Sequence, residues 1–135
     1  MHKEKIISLT KGFSHEKNLK LAIYSAELVL VIFEGKYPHD DSPRKAIEAA
    51  KKCLESDTKE NRLAAADARA AATDAAANTA IAASFAAIAA SCAADAAVDT
   101  ADDDTASYAA SFAADADAEI TQKIIDYTTR LSEEK

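Results

Sequence analysis

One alanine-rich segment dominates the sequence, because 29 of the 55 residues from 64 to 118 are alanine. Alanine has the highest helix propensity of the common residues. The few bulky side chains keep a helical spacing, with Ile81, Phe85, Ile88 and Cys92 at i, i+4, i+7 and i+11. The segment is therefore predicted to be helical, since it also lacks the composition of a disordered region.

The whole chain is predicted to be all-α. Its 135 residues include two Gly and two Pro, too few for the many tight turns of a β-sandwich or barrel. We expect a single-domain helical bundle of about five helices over 15–33, 43–55, 58–77, 79–98 and 104–132. Within the domain 1–135, a polar segment at 1–13 precedes helices with larger apolar residues at 14–57. Alanine-rich acidic helices follow at 58–118, and the C-terminal helix ends within 119–135.

Local signals mark where the first three helices begin and end. Ser14 is predicted to be the N-cap of the first helix, and Gly35 is predicted to close it. Ser42 is predicted to cap the second helix, with Pro43 at its first position. Asp57, Thr58, Lys59 and Glu60 are predicted to form a capping box for the third helix, which is expected to start near Thr58.

The first helix is predicted to lie at the centre of the bundle, because apolar residues cover two of its faces. One face carries Leu19, Ile23, Ala26, Leu30 and Phe33, and the other carries Leu21, Tyr24, Leu28 and Val31. The alanine helices cannot hold a tertiary fold alone, because a buried methyl group contributes only about 0.8 kcal/mol. We therefore expect them to pack on the larger side chains, closer than the usual interaxial distance of about 8–10 Å.

Acidic charge is concentrated in the alanine segment. The chain has a formal charge of -7, whereas residues 64 to 118 carry nine Asp and one Arg. Asp95, Asp99 and Asp102 share one helix face, with Asp103 beside them. These residues either keep the helices soluble or form a negative surface for a basic protein partner. Nucleic acid is excluded as a direct ligand, because its phosphates would be repelled.

The loop from Tyr37 to Asp41 is the one place where His and carboxylates crowd together. His39, Asp40 and Asp41 have the chemistry of half a divalent-metal site or of an acid–base pair. A turn in which the Asp side chains hydrogen-bond to the backbone explains them equally well. A metal-dependent enzyme would require this loop to meet the acids from 102 to 104. We predict no metal site, no catalytic residues and no cofactor.

The stretch from Ala26 to Ala50, together with the alanine-rich helices after it, resembles the immunity protein family of bacterial polymorphic toxin systems. The resemblance is to an alanine-rich, all-helical, immunity-protein-five-like domain, in which a Tyr-Pro loop with acids precedes an Ala-Ile-Glu-Ala-Ala helix. The matching positions are Phe33, Glu34, Tyr37, Pro38, Asp40, Asp41, Pro43, Arg44, Ala46, Ile47 and Glu48. The resemblance implies an all-α, non-enzymatic cytosolic protein that neutralises another protein by binding it, and it supplies no catalytic residues.

The leading hypothesis is therefore an immunity-like inhibitor of a toxin or effector, bound through Tyr37–Asp41 or through the acidic helices. One alternative is a phage-type antagonist of a host defence complex, whose acidic face partly mimics nucleic acid. We expect a cytoplasmic protein, because Cys53 and Cys92 are far apart with no CxxC motif and no signal or membrane-spanning segment is evident. Whether the chain forms a homo-oligomer stays open.

Overall fold

A computed structural model describes residues 8–10, 13–77 and 118–134 of the chain. Four helices lie within these residues: α1 (His15–Lys36), α2 (Ser42–Glu55), α3 (Lys59–Ala77) and α4 (Ala118–Glu133). The predicted all-α fold is confirmed. The helix predicted at 79–98 and the first part of the helix predicted at 104–132 lie outside the described residues.

Helix α1 is buried along most of its length, as its two apolar faces predict. Ser14 caps it, since the Ser14 hydroxyl accepts a hydrogen bond of 3.2 Å from the Lys17 backbone N–H. Leu19, Leu21 and Phe33 are among the largest fully buried side chains of the described residues. The predicted second apolar face is wrong at Val31, because this side chain is 69% exposed and contributes little to the core.

The end of α1 differs from the prediction at Gly35. The helix continues through Gly35 to Lys36, and Tyr37 is the C-cap, with a φ of −130° and a backbone N–H that donates to the Phe33 carbonyl at 2.8 Å. Pro38 sets this end, because a residue that precedes proline is disfavoured in the helical conformation. No left-handed glycine is needed.

The start of α2 also differs from the prediction. The helix begins at Ser42, with Asp41 in the N-cap position and no side-chain capping bond. The Ser42 backbone N–H donates instead to the Asp40 carboxylate at 3.0 Å. The Ser42 hydroxyl is therefore not the cap, because the carboxylate two residues earlier already holds that turn. Pro43 lies in the first turn and is buried.

Helix α2 packs against α1 and α3. Its inner face consists of small and medium side chains, with Ala46, Ala50 and Cys53 at most 3% exposed. Two ion pairs join α2 to α1: Arg44 pairs with Glu34 at 2.6 Å, and Lys51 pairs with Glu27 at 2.5 Å. Each partner of the second pair lies seven residues farther from the loop than in the first, as antiparallel helices require.

Helix α3 packs along α2 and begins at Lys59, next to the predicted start near Thr58, with Thr58 as the residue whose side chain caps it. The Asn61 backbone N–H donates to Thr58 Oγ1 at 3.1 Å. The Asn61 side-chain amide also donates to carbonyl oxygens at the end of α2, those of Ser56 at 2.7 Å and Lys52 at 3.3 Å. The Asn61 side chain thus satisfies carbonyl groups at the end of α2, while its own backbone N–H, an orphan donor at the start of α3, is satisfied by Thr58.

Helix α4 lies against α1 and shows the predicted spacing, with Ile124 fully buried and Leu131 3% exposed. Tyr127 stacks on Tyr24 of α1 with ring centroids 4.0 Å apart and planes 10° from parallel. Thr128 is buried, and its hydroxyl donates to a carbonyl within its own helix at 2.6 Å. None of the described helices combines the length and the apolar character required to cross a bilayer.

Candidate functional site

The loop that joins α1 to α2, Tyr37 to Asp41, is anchored to the core at its first residue. The half-buried Tyr37 ring packs against Phe33, with centroids 5.3 Å apart and a tilt of 36°. The Tyr37 carbonyl accepts a hydrogen bond from the Asp40 backbone N–H at 3.1 Å. The loop is therefore a tight turn with one end fixed by an aromatic contact.

A salt bridge joins the two helices on either side of this loop. Arg44 donates two hydrogen bonds of 2.6 Å to Glu34, one to each carboxylate oxygen. These hydrogen bonds lower the pKa of Glu34 and raise the pKa of Arg44. A bidentate pair fixes orientation as well as distance, so the end of α1 and the start of α2 are held in one geometry.

The predicted site residues of the loop divide into two groups. Tyr37 and Asp40 are half-buried and hold the turn, through the ring contact with the core and the hydrogen bond to the Ser42 backbone. His39 and Asp41 are exposed. The Asp41 carboxylate lies 3.4 Å from the Lys45 ammonium in a solvated pair. The side chains available to a partner are therefore those of His39 and Asp41.

A groove between α2 and α3 begins at the end of this loop. It has a volume of about 490 Å³, and its lining combines alanines with charged and polar side chains. It is lined by Asp41, Ser42, Lys45, Glu48, Ala49, Lys52, Asn61, Ala64, Asp67, Ala68 and Ala71. Sequence reasoning missed this groove, although the charged residues of α2 that line it are spaced at i, i+4, i+7 and i+11.

The acidic half of the predicted site is not described by the structure. Asp95, Asp99, Asp102 and Asp103 lie outside the described residues, as does the rest of the cluster at 102–104. Across residues 8–10, 13–77 and 118–134, no group of three or more His, Cys, Asp or Glu side chains is placed to hold a metal ion. The convergence that a metal-dependent enzyme would need therefore has no observation in its favour.

Cys53 is buried on the inner face of α2, as predicted for a thiol at an apolar helix position. Burial raises the pKa of this thiol, and the nearby Asp57 raises it further. A thiol with a raised pKa is a poor nucleophile at neutral pH. Cys53 acts here as a small core side chain, and Cys92 lies outside the described residues.

The sequence model of a protein family described as "Imm-5 like putative immunity protein" matches residues 8–134 of the 135-residue chain. The chain belongs to this immunity protein family. The matched range includes all four described helices and the loop between α1 and α2, so the resemblance found in the sequence is confirmed. No curated protein and no solved structure matches the chain. Membership in an immunity protein family implies a protein partner in general.

Proposed function

We propose that this protein neutralises a toxin or effector protein by stoichiometric binding and without catalysis. Membership in the immunity protein family supports this role. In the proposal the protein acts as one domain in the cytoplasm, and the loop from Tyr37 to Asp41 forms part of the contact surface. The observation that carries the site is the pairing of a fixed loop backbone with the exposed side chains of His39 and Asp41.

A fixed loop favours tight binding, because ordering a flexible segment on association costs free energy. Here the Tyr37–Phe33 contact and the Glu34–Arg44 pair hold the loop from both sides. The loop is therefore already ordered in the free protein, and binding a partner does not require that free energy again.

The exposed carboxylate of Asp41 favours a partner with a basic surface. Complementary charge accelerates encounter and sets the register of two proteins more than it adds affinity. The proposal extends to Asp95, Asp99, Asp102 and Asp103, for which the sequence supplies the argument. These acids would enlarge the negative surface that a basic toxin meets.

The proposal is tested with the product of the neighbouring gene as the candidate toxin, induced in a bacterial host with and without this protein. Co-expression should restore growth, and titration calorimetry of the two purified proteins should give a one-to-one complex. Asp41→Asn should slow association and reduce its salt dependence.

Glu16→Gln is a matched control for Asp41→Asn. Both acids are exposed, lie near a helix N-terminus and pair with a lysine four residues later, Glu16 with Lys20 at 3.5 Å. Slowing by Asp41→Asn alone supports the loop as contact surface, and equal rates for the two variants place the contact elsewhere. Growth rescue without any detectable complex, or conversion of a substrate by the purified protein, would refute inhibition by binding.

A further inference from the structure

The groove between α2 and α3 has one edge on which charges alternate in sign. Asp41, the N-cap of α2, is followed along the helix by Lys45, Glu48 and Lys52, and all four are exposed. Residues spaced at i, i+4, i+7 and i+11 share one side of a helix. The charges along the edge are therefore negative, positive, negative and positive from the N-cap of α2 toward its C-terminal end.

This charge pattern is complementary to that of a second, identical edge running in the opposite direction. Asp41 and Lys52 lie at equal distances from the middle of the edge, and so do Lys45 and Glu48. When two copies of α2 run antiparallel, Asp41 of each copy faces Lys52 of the other. In the same register, Lys45 of each faces Glu48 of the other.

We propose that this groove binds a second copy of the chain, with the two α2 helices antiparallel about a twofold axis. Such an interface is isologous, meaning that each copy uses the same surface, as in most homodimers. The twofold axis passes near the middle of the edge, between Lys45 and Glu48. The central salt bridges are therefore Lys45 to Glu48 of the second copy and its symmetric equivalent.

The other wall of the groove suits the approach of a helix. On α3 this wall consists of the three alanines Ala64, Ala68 and Ala71, with Asn61 and Asp67 as its polar members. Small residues allow helix backbones to come close. The aliphatic stem of Lys45 from the second copy then covers these alanines while its ammonium stays at the rim.

The dimer is expected to be salt-sensitive, because its specific contacts are exposed charge pairs. The Debye length falls from about 14 Å at 50 mM salt to about 4 Å at 500 mM. We therefore expect the dissociation constant to rise about tenfold or more over this range.

Asp41 also belongs to the loop proposed to bind the toxin, so the toxin should bind the monomer.

Sedimentation equilibrium of the full chain tests the proposal directly. The wild type should show a reversible dimer of twice the 14.3 kDa chain mass at low salt and high protein concentration. Lys45→Glu alone and Glu48→Lys alone should each weaken the dimer at least about tenfold, since like charges then face each other at both central positions. The double variant Lys45→Glu with Glu48→Lys should dimerise again, because the central pairs are complementary once more.

Two controls match these reversals at exposed positions outside the groove. Lys123→Glu and Glu133→Lys, both on α4, change net charge by the same amounts and should leave the dimer unchanged. Far-UV circular dichroism of each single variant checks its helix content, and recovery in the double variant excludes loss of folding as the cause. A monomer at every concentration, or a double variant no stronger than the singles, would overturn the proposed dimer.

Discussion

Replacement of a buried alanine on α3 by leucine tests whether alanine is required where this helix is buried. Ala65 is fully buried, whereas Ala70 on the same helix is exposed. Ala65→Leu adds an isopropyl group at a site without spare room, and overpacking of this kind costs about 1–3 kcal/mol. The same substitution at Ala70 should change the free energy of unfolding by less than about 0.5 kcal/mol.

The two positions differ in burial but lie on the same helix and carry the same substitution. The small difference in helix propensity between alanine and leucine therefore cancels when the two variants are compared. Urea unfolding followed by far-UV circular dichroism gives both free energies. A second pair separates packing from propensity: Ala65→Gly and Ala70→Gly each lose about 1 kcal/mol of helix propensity. The variant at position 65 should lose about 0.8 kcal/mol more, for its buried methyl group.

Equal unfolding free energies for Ala65→Leu and Ala70→Leu would refute the reasoning. That result would mean that the space around Ala65 accommodates a large side chain and that α3 does not need alanine at this buried position. A stabilised Ala65→Leu would go further and show that a cavity faces this position.

Three further perturbations follow from individual contacts. Hydrogen bonds from Arg44 lower the pKa of Glu34 below its ordinary 4.5, so its contribution to stability is present at neutral pH and is lost as the pH falls through the lowered value. Glu34→Gln should therefore unfold at lower urea than the wild type at pH 7, with the difference disappearing in acid. Burial raises the pKa of the Tyr127 phenol above 10.0, so its neutral form stabilises the fold and this contribution is lost as the pH rises through the raised value. Tyr127→Phe keeps the stack on Tyr24 and should make urea midpoints less sensitive to pH above 10; an unchanged alkaline slope would contradict this. Asn61→Ala removes two hydrogen bonds to the end of α2 and should cost about 1 kcal/mol, seen as a thermal midpoint lower by about 4 °C.

Periodicity predicted the packing of α1 and α4 well because it reports directly on which side of a helix is apolar. Leu19, Ile23 and Phe33 recur at helical spacing, and all three are buried. Val31 shares an apolar face by the same count and is exposed. Spacing alone does not say how far around a helix its neighbours reach.

The helix ends between α1 and α2 were predicted less well, because neighbouring residues compete to make the same turn. Gly35 is a good helix terminator, yet the helix continues one residue beyond it to Lys36 and ends just before the Tyr37-Pro38 pair. Ser42 is a good N-cap, yet the Asp40 carboxylate accepts the hydrogen bond from the Ser42 backbone. A sequence shows which residues are able to cap a helix, whereas the path of the loop selects the residue that does.

Contacts between helices lay beyond sequence reasoning for a related reason. Glu34 and Arg44 are ten residues apart, and their bidentate pairing depends on the course of the intervening loop. The groove between α2 and α3 likewise depends on how two helices are set side by side. Its alternating charges were visible in the sequence, but a solvated helix face shows the same pattern.

The motif that carries the family resemblance explains why only some of the predicted site residues of the loop are exposed. Most of its described members build the corner between α1 and α2: Phe33, Glu34, Tyr37, Asp40, Pro43, Arg44, Ala46 and Ile47 are buried, paired or hydrogen-bonded within it. A side chain committed to such a contact is poorly placed to select a partner, because changing it would disturb the fold. His39 and Asp41 project from the same corner and remain exposed. The motif therefore specifies a scaffold, and we infer that selectivity for a protein partner resides in the exposed side chains that this scaffold presents.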